Sequence, residues 1–249
     1  MLSLLKNFVK IKGLQVYYEK EGEGKPILIL HGWGGRTESV KPIFDLLKNN
    51  FCVYSLDLPG FGRSEVPELA WQTSDYGLFI KKFLENFGIK KINIIGHSFG
   101  GRIGIWLSAN YPELVNRLVL VDASGIKPKR KPGYYLKVLL AKIAKYLLPK
   151  ALKEKVYQKI GSKDYKEAGK MRDTLVKIVN EDIKPFLSKI LAPTLIIWGE
   201  NDFQTPIYQG KIMEKEIKNS SLKIIKNAGH FCYLDNSFDF SNAILDFFK

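Results

Sequence analysis

Two cysteines, Cys52 and Cys232, are all that this 249-residue chain contains. They make no disulfide framework, and so scarce a thiol count suits a reducing, cytoplasmic setting. No apolar run approaches the roughly 18–20 residues that a membrane span requires. The opening stretch MLSLLKNFVKIKG is interrupted by Lys6, Lys10 and Lys12, so it lacks the unbroken apolar core of a secretory signal. Histidine is scarce too: His31, His97 and His230 are the full set. Neither a metal-ligand cluster nor a dinucleotide fingerprint occurs, so the expected chemistry uses no cofactor and no metal.

Core-forming residues are plentiful: 45% of the chain is hydrophobic and 12% aromatic, enough to exclude disorder and to fill one large domain. Acidic residues run short, 25 against 39 basic ones, for a net charge of +14. That surplus is not spread evenly. Residues 125–190 carry 18 basic and 6 acidic side chains, a net of +12, whereas 1–124 sum to +3 and 191–249 to −1. The charge belongs to one segment. Its aromatics do not interleave with the basic residues as a nucleic-acid surface would require, so nucleic acid is not expected as a partner.

Outside that segment, short apolar runs alternate with amphipathic ones. Leu14–Tyr18, Ile27–Leu30, Phe51–Leu56, Ile92–Ile95, Leu118–Val121, Thr194–Trp198 and Leu222–Ile225 read as strands. Between and after them, helices are expected near 36–48, 73–87, 99–110, 206–217 and 237–248. The second of these helices, 73–87, begins Thr-Ser-Asp, which is N-cap chemistry, and stops at Gly88. Such alternation implies βαβ crossovers and a mostly parallel sheet. Residues 125–190 break the rhythm with helical periodicity alone. In Tyr134–Leu148 the charged residues Lys137, Lys142 and Lys145 share one wedge at about 100° per residue, leaving the rest apolar. The segment reads as a helical insertion between two strands.

Gly96-His97-Ser98-Phe99-Gly100 follows a buried strand and opens a helix, which is G-x-S-x-G in the strand–turn–helix context that gives it meaning. The turn must lift Ser98 clear of the strand end, and flanking glycines let the backbone close tightly around it. The amide of Phe99 then sits at a helix N-terminus, where negative charge is favoured. A serine nucleophile needs a base. His97 lies inside the turn and should point away from Ser98; His31 lies in the glycine-rich His31-Gly32-Trp33-Gly34-Gly35. Elimination leaves His230. The base needs an orienting carboxylate: Asp202, after the run Leu195–Trp198, is first choice, with Glu200 and above all Asp122 as rivals.

The chain resembles the α/β-hydrolase superfamily along nearly its whole length. The resemblance rests on HGWGG at 31–35, LDLPGFGRS at 56–64, GHSFGG at 96–101, PTLIIWGENDFQTP at 193–206 and NAGHF at 227–231. It implies an α/β-hydrolase fold: a mostly parallel eight-stranded sheet flanked by helices, built from 1–124 and 191–249, with 125–190 as an inserted helical cap. It implies Ser98, Asp202 and His230 as the catalytic residues, in the family's Ser…Asp…His order. It also implies the backbone N–H of Trp33 as the second oxyanion donor beside that of Phe99. Asp57, Gly60, Gly62, Arg63 and Ser64 match a family turn that looks structural.

The expected reaction is acyl transfer to water, with a small-molecule carboxylic ester, anionic or acyl-chain, as substrate. A serine at position 98 argues against the dehalogenase and epoxide hydrolase branches, which place aspartate there. Hydrolases of the ring meta-cleavage type, which cut C–C bonds, resemble the elbow and cap. They usually carry a Trp soon after the catalytic His and an Arg from the cap; here Phe-Cys-Tyr-Leu follows His230, and the cap offers Arg130 and Arg172. A slow-turnover small-molecule receptor on the same fold is the other alternative. The basic cap is expected either to be a solvated lysine-rich face, or to attract anionic substrates, or to touch an anionic membrane surface peripherally.

Overall fold

Runs of Ile, Val and Leu without intervening polar residues bury both faces only in a sheet covered on each side. In the computed structural model, which describes residues 7–127 and 163–249, such runs form the sheet's interior. The strands are β1 (Phe8–Ile11), β2 (Leu14–Glu21), β3 (Pro26–Leu30), β4 (Cys52–Leu56), β5 (Ile92–His97), β6 (Val115–Val121), β7 (Thr194–Gly199) and β8 (Ser220–Ile225). Their order is β1-β2-β4-β3-β5-β6-β7-β8. The β1–β2 and β2–β4 pairs are antiparallel and the rest parallel. β1 was not expected from the sequence: it has four residues, of which only Ile11 is buried, so it carries almost no hydrophobic signal.

Helices cover both faces, and the strand alternation decides which face each serves. Leu28, Leu30, Ile94, Leu118, Leu120 and Ile196 pack with Phe79, Ile80 and Phe83 of α2 (Thr73–Asn86) and Ile103 and Leu107 of α3 (Phe99–Asn110). The intervening Ile27, Ile29, Ile95, Val119, Val121 and Ile197 face Ile43, Phe44 and Leu47 of α1 (Lys41–Leu47). Chain order continues with α4 (Lys163–Glu167), α5 (Arg172–Asn180), α6 (Lys184–Leu187), α7 (Tyr208–Glu216), α8 (Cys232–Asp235) and α9 (Ser237–Phe248). Phe240 and Ile244 of α9 join the second cluster, and Met213 of α7 joins the first. Each such fully buried side chain contributes roughly 1.5–3 kcal/mol.

Of the Thr-Ser-Asp that opens α2, Asp75 serves the helix start and Thr73 does not. Gln72 precedes the helix, its amide bonded to Asp75 Oδ2 at 2.8 Å. The Thr73 amide and hydroxyl instead donate to Glu181, across 108 residues of chain. Other ties bind the 163–190 stretch to the body. The Trp71 amide donates to Thr174 Oγ1 at 3.1 Å, and Arg102 Nη1 to Ile178 O at 2.6 Å. Among the described residues between β6 and β7 there is no strand. The expected Tyr134–Leu148 helix lies outside the described residues.

The LDLPGFGRS turn is a clamp around one buried carboxylate. Asp57 Oδ1 accepts from Thr37 N at 2.7 Å, and Oδ2 from Arg63 N at 2.8 Å and Arg63 Nε at 3.2 Å. The Arg63 guanidinium also lies over the Tyr17 ring. Because Asp57 is fully buried while Arg63 is partly exposed, the two substitutions differ in cost. Asp57→Ala strands buried donors and should lower stability by about 3–5 kcal/mol. Arg63→Ala should cost about 1 kcal/mol. Urea midpoints of the two variants check this; equal losses would contradict the clamp.

Candidate active site

All the parallel strands end on the same edge of the sheet, the place where open α/β sheets bind ligands. Ser98 follows β5, Asp122 follows β6, Asp202 lies just past β7, and His230 lies in the loop after β8. Ser98 has φ 50° and ψ −109°, a conformation that side chains rarely adopt. Its backbone is held from both sides: the Ser98 amide donates to Val121 O at 2.9 Å, and Ser98 O accepts from Ser124 N at 3.0 Å. Glycine is required beside it. A Cβ on Gly96 would lie 2.5 Å from the Gly100 carbonyl, and one on Gly100 would lie 2.2 Å from Leu30 O.

His230 and Asp202 meet. His230 Nδ1 is 2.8 Å from Asp202 Oδ2. The same carboxylate accepts from Gln204 N at 2.8 Å and Thr205 N at 3.0 Å through Oδ1, and from the Thr205 hydroxyl at 2.5 Å through Oδ2. Burial opposes its ionisation, yet the hydrogen bonds from His230 and Thr205 outweigh it and hold the carboxyl below its usual range. The rival acids are engaged elsewhere. Glu200 accepts from Asn227 N at 3.2 Å, and Asp122 Oδ1 accepts from Gly199 N at 2.8 Å. Burial pushes Asp122 up to about 7 despite the Gly199 amide and the Cys232 thiol beside it. Burial and the Asp122 charge in turn push the Cys232 thiol up.

The other two histidines are buried and held neutral. His31 Nδ1 lies 2.7 Å from Gly32 O, and its Nε2 accepts from Leu58 N at 2.9 Å; burial lowers it to about 4. It braces the turn that presents Trp33. His97 Nε2 lies 2.8 Å from the His230 carbonyl, and burial, with His230 adding to it, lowers His97 to about 3. With Nε2 protonated, His97 donates to that carbonyl and joins the end of β5 to the His230 loop. The sequence turns His97 away from Ser98 but cannot name its partner, because a bond across 133 residues leaves no local signal.

Ser98 and His230 line one cavity of about 460 Å³, together with Trp33 and Phe99, the residues expected to supply oxyanion amides. The Trp33 ring packs edge-on against Phe61 and Phe99, at 4.9 and 5.5 Å between centroids. Leu175, Ile178 and Val179 of α5 also line it, as do Phe203 and Pro206. The buried Arg102 also borders the cavity; burial lowers its guanidinium to about 10, against the pull of Glu181. Thr205 is the neighbour that the sequence did not single out, although it sits inside the GENDFQTP motif. Among the described residues, no group of three or more His, Cys, Asp and Glu is placed to hold a metal. Among them, too, no helix is long and apolar enough to cross a membrane.

Comparison with known proteins agrees with this fold. The family described as alpha/beta hydrolase fold matches residues 25–153 and 133–237. The uncharacterized hydrolase YugF of Bacillus subtilis is 26% identical, over 96% of both chains. A Pseudomonas putida 2-hydroxy-6-oxononadienedioate/2-hydroxy-6-oxononatrienedioate hydrolase is 26% identical, over 96% of this chain and 95% of its own. Among solved structures, a bacterial membrane phospholipase A superposes with a TM-score of 0.79 at 24% identity, over 97% of this chain and 84% of that one.

The raised Asp122 has a stability consequence. Its folded value of about 7 exceeds the ordinary 3.8, so between these pH values the folded chain holds a proton that the unfolded chain has released. Stability from this group is therefore present below about pH 4 and is lost as pH rises through about 7. Asp122→Asn should remove that loss, gaining on the parent by a few kcal/mol from pH 4 to 8. Denaturation midpoints at the two pH values check it; a pH-independent difference would contradict it.

Proposed function

Because the chain belongs to the α/β-hydrolase fold family, we propose that it is a cofactor-free serine hydrolase with Ser98 as nucleophile, His230 as base and Asp202 as orienting acid. The observation that carries this reading is the 2.8 Å contact of His230 Nδ1 with Asp202 Oδ2, in a loop whose imidazole shares a cavity wall with Ser98. With the Nδ1 proton engaged by Asp202, Nε2 is the basic nitrogen. It takes the Ser98 proton as the oxygen attacks a carbonyl, then returns it to the leaving group. Water repeats the sequence on the acyl-enzyme. The amides of Trp33 and Phe99 receive the oxyanion, each such donor being worth about 2.7–4 kcal/mol.

A carboxylic ester is the first substrate class. Cleavage of a C–C bond beside a ketone is the second, and the likeness to the Pseudomonas putida 2-hydroxy-6-oxononadienedioate hydrolase favours it. The absence of Trp in the four residues after His230 weighs the other way. Residues 125–190 form the cap in this reading, since Lys127, Asp164, Leu175, Ile178 and Glu181 border the cavity. Its net +12 draws anionic substrates to the mouth, or holds the cap against an anionic membrane.

Turnover of p-nitrophenyl acetate and butyrate, against a 2-hydroxy-6-oxodienoate, separates the two substrate classes. Ser98→Ala and His230→Ala should each bring turnover close to background on whichever substrate is cleaved. Asp202→Asn should cost about 10³–10⁴-fold in kcat. A Ser98→Ala protein with more than a tenth of the parent rate would sink the mechanism. For the cap, kinetics and anionic-vesicle binding that are both indifferent to ionic strength would refute an electrostatic role.

A further inference from the structure

The reading of Ser98, His230 and Asp202 leaves one buried polar group beside them unused. Thr205 is largely buried in the loop between β7 and α7. Its Oγ1 lies 2.5 Å from Asp202 Oδ2, 3.1 Å from the Asp122 carbonyl and 3.3 Å from His230 Nδ1. A hydroxyl has one proton and two lone pairs. The shortest contact, to a charged acceptor, takes the proton; the Asp122 carbonyl is the alternative acceptor if the hydroxyl rotates. The Nδ1–H of His230 can then share itself between Asp202 Oδ2 and the Thr205 oxygen.

We propose that Thr205 is a positioning residue of the triad, whose hydroxyl fixes the Asp202 carboxylate against His230 and draws off part of its negative charge. The proposal rests on the serine-hydrolase reading for its effect on turnover, but not for its effect on the Asp202–His230 pair. Both backbone donors to this carboxylate reach Oδ1. Apart from His230, Thr205 Oγ1 is the donor to Oδ2 among the described residues. Without the hydroxyl, Oδ2 keeps His230 alone and is free to swing. It also carries more charge, and so holds an imidazolium more tightly. The base then stays protonated to higher pH.

Other ionisable groups around His230 do not replace this effect. His97, at the end of β5, is buried and neutral, lowered to about 3. Asp122, at the end of β6, points its Oδ1 to the Gly199 amide. Cys232, in α8, has its thiol raised by burial. Of these, Asp122 alone changes charge near neutrality, and it is unchanged in the variants that follow.

Thr205→Val keeps the shape and removes the hydroxyl; Thr205→Ser keeps the hydroxyl. We expect Thr205→Val to lower kcat about 10-fold with KM within about 2-fold. The acid limb of kcat/KM should move to higher pH, and the low-field Nδ1 proton resonance of His230 should shift. Thr205→Ser should restore all three towards the parent. Thr205→Ala supplies a second hydroxyl-free chain if valine crowds the loop. A hydroxyl-free variant with the parent's acid limb and the parent's Nδ1 resonance overturns the proposal, whatever its melting temperature. The resonance is read in the resting protein. If Ser98→Ala retains turnover, the serine-hydrolase reading fails, while the resonance still decides on Thr205.

Discussion

The strained turn at Ser98 is the constraint on which the rest of the site depends. A residue at φ 50° and ψ −109° persists only where its surroundings over-determine it. Here β5 runs in register between β3 and β6, with Leu28 opposite Ile94 and Val119 opposite Ile95. That pairing delivers the Val121 carbonyl and the Ser124 amide to the two ends of the Ser98 peptide. The glycines at 96 and 100 clear the space, and α3 starts at once, so the Phe99 amide arrives at a helix N-terminus. Loss of the parallel register would release the strain and the site with it.

Around that turn, burial sorts chemically identical groups into different states. Asp122 and Asp202 follow neighbouring parallel strands, yet one is raised towards neutrality and the other kept ionised. Burial raises Asp122, which receives chiefly one amide, whereas the two backbone amides, hydroxyl and imidazole at Asp202 outweigh its burial. Likewise His31 and His97 are held neutral as braces for backbone, leaving His230 as the histidine paired with a carboxylate. Divergent environments for like groups are a common sign of divided acid–base roles.

The charge that first marks this chain is not part of the hydrogen-bonding around Asp202, which involves no lysine or arginine among the described residues. Residues outside 125–190 are nearly balanced. The basic segment meets the body through specific ties instead, Thr73 to Glu181 and Arg102 to Ile178.

Much of the fold was legible because its signals are local. α3 spans 99–110 as its pattern indicated, because a G-x-S-x-G turn sets its start and apolar spacing its length. The interior strands were legible as unbroken apolar runs. β1 was not, because its four residues bury only Ile11, and neither was the partner of Thr73 at the start of α2, because it lies 108 residues away. The sequence by itself determined which residue types were available: one serine in a glycine elbow, three histidines, a few carboxylates after strands. Only the tertiary structure decided that Asp202 rather than Asp122 meets His230, that His97 grips a distant carbonyl, and that Thr205 touches the carboxylate. Contacts of this kind span tens of residues and turn on ångström differences, which hydrophobic periodicity does not encode but strand register and burial do.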